Sequence, residues 1–155
     1  MTEEEHRALV VEIARSWLRT PYHNEARLKG AGVDCGQLLI AVYAEAGICP
    51  EFETGHYSFD WAQHNEDPRY LNFVRQYGRE FEGPPLHGDA VLWKFGRAFS
   101  HGAIVEQWPN RIIHAVVGHG CLYGDADKEQ LLNWIGKPTG VQKPRERLFF
   151  TPWGK

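Results

Sequence analysis

The sequence has little of what would set it apart from an ordinary globular chain. It holds three cysteines in 155 residues, at Cys35, Cys49 and Cys121. An odd, widely spaced set makes no disulfide framework and leaves at least one thiol free. No apolar run approaches the roughly 18 residues of a membrane span, so membrane insertion is not expected. The N-terminus, MTEEEHRALV, is acidic and lacks the apolar core of a signal peptide. Synthesis in the cytoplasm is therefore expected, with any export dependent on another carrier. Positive charge is also short: 17 Lys and Arg stand against 20 Asp and Glu, a net charge of −3 with His neutral. That balance supplies no basic face for nucleic acid. There is no internal repeat, low-complexity tract or Ser/Gly linker, so residues 1–155 read as a single domain. At 43% hydrophobic and 24% charged the chain can build its own core without staples.

What is present divides into helices and then strands. Thr2 and Glu5 form a capping box ahead of Leu9, Val10, Ile13, Ala14, Trp17 and Leu18, which repeat at helical spacing up to Pro21. Residues 22–33 read as an exposed loop. A second, mostly apolar helix spans Cys35 to Ala46, with Asp34 at its N-cap and Gly47 at its stop. Residues 48–63 read as irregular, and Asp67-Pro68 opens a helix running to about Gly78. After Pro84-Pro85 the apolar period becomes alternating. Strands are expected over 90–95, 101–106 and 111–117, with short ones over 120–123 and 148–151. Trp108-Pro109-Asn110 makes one turn, and Asp125 or Asp127 caps a late helix ending near Gly136. Helices first and an antiparallel sheet after is an α+β order.

The chemistry starts at Cys35. A helix N-terminus carries partial positive charge and free N–H groups, which favour a thiolate and can stabilise an oxyanion. A thiol nucleophile needs a base, and the base needs an orienting partner. Of eight histidines, His101 and His114 lie on adjacent expected strands. If residues 107–110 form the turn, Glu106 faces Arg111, His101 faces Val116 and His114 faces Ala103. The two histidines are then diagonal neighbours on one face, about 7–8 Å apart at the backbone. A slip of one residue would put them on opposite faces. Trp93 and Phe95 share a face nearby, where core packing is the ordinary role. His119-Gly120-Cys121 lies close to His114, but His-x-Cys matches no usual structural zinc spacing, so no metal site is expected. Cys49 and Cys121 read as inert thiols.

Several of these stretches resemble the NlpC/P60 cysteine peptidases. Thr20-Pro21-Tyr22 and Gly32-Val33-Asp34-Cys35-Gly36 look like that family's nucleophile region. Gly88-Asp89-Ala90-Val91, Ser100-His101-Gly102-Ala103-Ile104 and Arg111-Ile112-Ile113-His114-Ala115 look like its sheet region. The resemblance covers about residues 7–120, and its wording is nearest to the branch found in tailed-phage and prophage tail modules. It implies a papain-like α+β fold, with N-terminal helices packed on an antiparallel β-sheet. It also implies Cys35 as nucleophile, His101 as general base and acid, and His114 as the residue that orients His101. Tyr22, Asp34 and Gly36 fall at substrate-binding positions, Asp34 matching an acidic residue that holds the free amine of a peptide stem. Many relatives carry Ser directly after the cysteine, and Gly36 departs from that. The implied substrate is a peptidoglycan stem peptide, cut between D-glutamate and a diamino acid without a cofactor. The implied partners are phage tail-tip proteins, and the implied location is the virion tail. Two other readings of the same residues are a structural tail-tip piece with secondary or no catalysis, and an acyltransferase or amidase using the same Cys-His triad.

Overall fold

The two N-terminal helices begin where side chains satisfy free backbone donors. In α1 (Glu3–Ser16) the Thr2 hydroxyl accepts the Glu5 N–H at 3.1 Å, and the Glu5 carboxylate accepts from the Thr2 N–H in return. In α2 (Cys35–Glu45) the Asp34 carboxylate accepts the Gln37 N–H at 2.8 Å. The computed structural model describes residues 1–57, 69–95, 97–129 and 145–154. The expected helix start at Asp67-Pro68 and the expected end of the late helix near Gly136 lie outside these residues.

Helix α1 stops at Ser16, a turn before Pro21, although the apolar period runs on through Leu18. The reason lies in partners distant in sequence. Arg19 takes a positive φ of 75°, its N–H donates to the Cys121 carbonyl at 2.8 Å, and the Cys121 N–H donates to the Thr20 carbonyl at 2.8 Å. Pairing with the later strand replaces the helical ladder. The expected exposed loop over 22–33 is also corrected. It contains a small antiparallel hairpin, β1 (Arg27–Leu28) with β2 (Gly32–Val33), and a parallel bridge from Tyr22 to Val33. Leu28 is exposed, but Gly32 and Val33 are buried. A Cβ on Gly32 would meet His23 Cδ2 at 2.8 Å, so the close approach of that side chain requires glycine there.

Helix α3 (Arg69–Tyr77) precedes β3 (Arg79–Phe81), a strand that sequence alternation does not reveal. Strands β4 (Ala90–Phe95), β5 (Ala98–Gln107), β6 (Arg111–Val116), β7 (Gly120–Gly124) and β8 (Arg147–Thr151) complete one sheet, with a four-residue helix α4 (Ala126–Glu129) between the last two. The strand order is β3-β8-β4-β5-β6-β7, and every neighbouring pair is antiparallel. One face packs on the helices: Val10, Ile13, Leu38 and Val42 meet Leu92, Ile104, Ile113 and Phe150. Val91, Trp93, Phe95, Val105 and Ile112 form a second cluster, with Trp108 and Phe149 packed against it.

The β5–β6 register agrees with the sequence reading at Ile104↔Ile113 and Val105↔Ile112. It differs at the turn, where Gln107, not Glu106, pairs with Arg111. Glu106 is the extra residue of a bulge, and its carboxylate pairs with both Arg15 and Arg111. A second device locks α1 to the sheet. The buried Arg7 guanidinium donates to Asp89 Oδ1 at 2.9 Å and to the His87 carbonyl at 2.9 Å, while Asp89 Oδ2 accepts the Leu86 N–H at 2.9 Å. A buried charge is tolerable when paired and hydrogen-bonded in this way.

Candidate active site

Cys35 is the first residue of α2, where the Asp34 cap directs the chain into the helix and the dipole places its positive end. Its thiol donates to the Ser100 carbonyl at 3.0 Å. Ser100 is itself an irregularity. Trp93 pairs with His101 but Lys94 pairs with Phe99, so Ser100 is the extra residue of a bulge in β5. A bulged residue stands outside the regular ladder, and here its carbonyl meets the thiol. The nucleophile candidate therefore abuts the residue immediately before His101.

His101 and His114 meet as the strand register requires. Nε2 of His101 lies 2.8 Å from Nδ1 of His114, and the ring centroids are 5.0 Å apart. Both are buried, at 7% and 2% exposure. The His101 ring is clamped on its other sides by Phe95, stacked at 5.2 Å and 14°, and by Trp93 at 5.8 Å. Trp93 and Phe95 are thus core residues that also wall the imidazole. His114 is held in turn by Gly124, where a Cβ would stand 2.5 Å from His114 Nε2.

Asp34 is buried, and both of its oxygens have donors. Oδ1 accepts from the Gln37 N–H, and Oδ2 accepts from the Glu25 N–H at 2.8 Å and from the Tyr57 hydroxyl. Gln37 also donates through Nε2 to Tyr57 at 3.1 Å and to Thr54 at 3.2 Å. Burial raises the Asp34 carboxyl above its ordinary range, against the opposing pull of those donors. Burial likewise pushes the Tyr22 hydroxyl well up, with the charges of Cys35 and Asp34 adding to the shift. The structure thus brings Cys35, Asp34, Gly36 and Tyr22 to one corner, where the thiol meets the Ser100 carbonyl, while the His101 and His114 rings stand with Trp93 and Phe95 of the second cluster. Ser100, of the family-like stretch around His101, also belongs to this neighbourhood, as do Tyr57, Tyr70 and Gly124, none of which carries a local sequence signal for it. Among the described residues no group of three His, Cys, Asp or Glu is arranged to hold a metal ion.

No protein-family model matches the chain, and no curated protein sequence does. Solved structures do. The chain is similar to the NlpC/p60 domain of the peptidoglycan hydrolase SagA, with a TM-score of 0.56 and 20% identity over 79% of this chain and 91% of that one. The fold is that of NlpC/P60 domains. It is also similar to an NLP/P60 family protein from Staphylococcus aureus, described as similar to lipoprotein, with a TM-score of 0.55 and 21% identity. That match covers 80% of this chain and 37% of the other. The α+β architecture expected from the sequence, helices packed on an antiparallel sheet, is the one observed.

Proposed function

We propose that this chain is a cysteine peptidase of the NlpC/P60 family that hydrolyses peptidoglycan stem peptides. The observation that carries the reading is the hydrogen-bonded His101–His114 pair on adjacent strands, with Cys35 at a helix start touching the residue before His101. A buried imidazole pair has many structural uses, but a thiol at a positive helix end beside it is the arrangement nucleophilic catalysis needs. The name of the SagA neighbour, a peptidoglycan hydrolase, supports a wall substrate.

In the reaction, His101 Nδ1 takes the proton of Cys35, and sulfur attacks the peptide carbonyl carbon. The Cys35 N–H at the helix start donates to the oxyanion. The C–N bond breaks as His101 returns its proton to the leaving amine. Water, losing a proton to His101, then attacks the thioester, and the carboxylic acid leaves as Cys35 is restored. His114 holds the His101 ring in place throughout. Asp34 and Tyr22 border the thiol, and an incoming stem amine competes with the Tyr57 hydroxyl for Asp34 Oδ2. The bond between D-glutamate and a diamino acid, and a place at a phage tail tip among its tail-tip proteins, are the finer parts of this proposal.

Incubation of purified peptidoglycan with the chain tests the reaction. New free amines with wild type and none with Cys35→Ala are expected, and amines from both would remove Cys35 from the mechanism. For the setting, a phage carrying Cys35→Ala is expected to build tails and adsorb but to deliver DNA poorly. Failure to assemble would point to the structural role instead.

A further inference from the structure

Tyr70 stands near the start of α3, remote in sequence from Cys35 and His101, yet its ring lies between the two residues that follow them. A Cβ on Gly36 would stand 3.0 Å from Tyr70 Cε2 and 3.4 Å from Cδ2. A Cβ on Gly102 would overlap the Tyr70 hydroxyl and stand 2.8 Å from Leu39 Cδ1. Neither glycine has a left-handed φ, so the backbone does not call for glycine at either place. The ring does. The Tyr70 hydroxyl is buried and has no hydrogen-bond partner among the described residues. Buried hydroxyls are normally paired, so the side chain serves here through its shape.

We propose that Tyr70 is a positioning residue whose ring, seated between Gly36 and Gly102, spaces the N-terminus of α2 from the His101 segment of β5. The inference rests on the reading of Cys35 as nucleophile and His101 as base. It also accounts for Gly36, since a serine after the cysteine would press its Cβ into this ring. The groups that bear on Cys35 are Asp34 on its own helix, Tyr22 and Tyr57 from the loops on either side, Tyr70 from α3, and His101 one residue beyond the Ser100 carbonyl.

The test is the rate of Cys35 alkylation by iodoacetamide near neutral pH, in the full chain, alongside the steady-state cleavage of a stem peptide. Peptide mass mapping separates Cys35 from Cys49 and Cys121, and thermal melting monitors the fold. In wild type, Cys35 is expected to be alkylated faster than Cys49. Tyr70→Phe keeps the ring and is expected to keep that rate. Tyr70→Leu is expected to slow Cys35 alkylation and to lower kcat by about tenfold or more with KM little changed. Gly102→Ala is expected to show the same loss, since its Cβ would meet both Tyr70 and Leu39. Wild-type alkylation and kcat in Tyr70→Leu overturn the spacer role. Cys35 no more reactive than Cys49 in wild type overturns the nucleophile-base reading, and the spacer role with it.

Discussion

His101 Nε2 and His114 Nδ1 lie 2.8 Å apart, on neighbouring strands whose register brings them to one face. The contact holds the His101 ring through its Nε2. His114→Ala is therefore expected to lower turnover by about 10²-fold, the usual effect of misplacing a catalytic group by about 1 Å, while leaving measurable activity. Steady-state cleavage of a stem peptide checks this. Turnover at the wild-type level would remove His114 from the site.

Gly124 supports His114 from behind. A methyl group there would stand 2.5 Å from His114 Nε2, closer than real Cβ contacts come. Gly124→Ala should thus reproduce much of the His114→Ala defect without altering any group that titrates. The discriminating comparison is the double variant. Effects transmitted through one residue do not add, so Gly124→Ala on top of His114→Ala should cost little more activity. Full additivity would mean that Gly124 acts elsewhere.

Arg7 and Asp89 carry the opposite kind of prediction, one about stability alone. Asp89→Ala takes from the buried guanidinium its buried carboxylate, leaving it only the exposed Glu3, and frees the Leu86 N–H. The expected cost is about 3–5 kcal/mol, read from urea unfolding midpoints. A change within about 0.5 kcal/mol, as at an ordinary surface position, would show that the pair is not holding α1 to the sheet.

Much of this was legible in the sequence because its signals are local. The Thr2–Glu5 box and the Asp34 cap are contacts over three residues, and both form as written. The β5–β6 register followed from a short turn, which links residues close in sequence. The bulge at Glu106 did not, because its carboxylate is drawn by Arg15 from a different helix. Strand β3 was hidden for a similar reason. Its three residues pair only with β8, where Arg79 faces Thr151 across nearly half of the chain. Tyr57 and Tyr70 reach the site solely through tertiary packing, so no spacing rule singles them out. Gly36 was visible as a departure from the family pattern, but its cause, the Tyr70 ring, is visible only in three dimensions.

Alkaline pH probes the buried Cys121 thiol. Burial pushes the Cys121 thiol up to about 12, from an ordinary value of 9.0. Above pH 9 the unfolded chain loses this proton while the folded chain keeps it. The unfolded state then binds fewer protons, so stability falls as pH rises between those values. Cys121→Val removes this contribution. Its stability should decline less than wild type's between pH 9 and 10, a range in which the buried tyrosines lower both proteins alike. Equal slopes in wild type and variant would mean that the thiol is not shifted.

The most direct test of the central claim is mass spectrometry of defined stem peptides incubated with wild type and with Cys35→Ala. Wild type should give two fragments whose masses sum to the substrate plus one water, with the break between D-glutamate and the diamino acid. Cys35→Ala should leave the peptide intact, at an unchanged melting temperature. Fragments from both proteins, or an intact peptide with wild type, would contradict that claim.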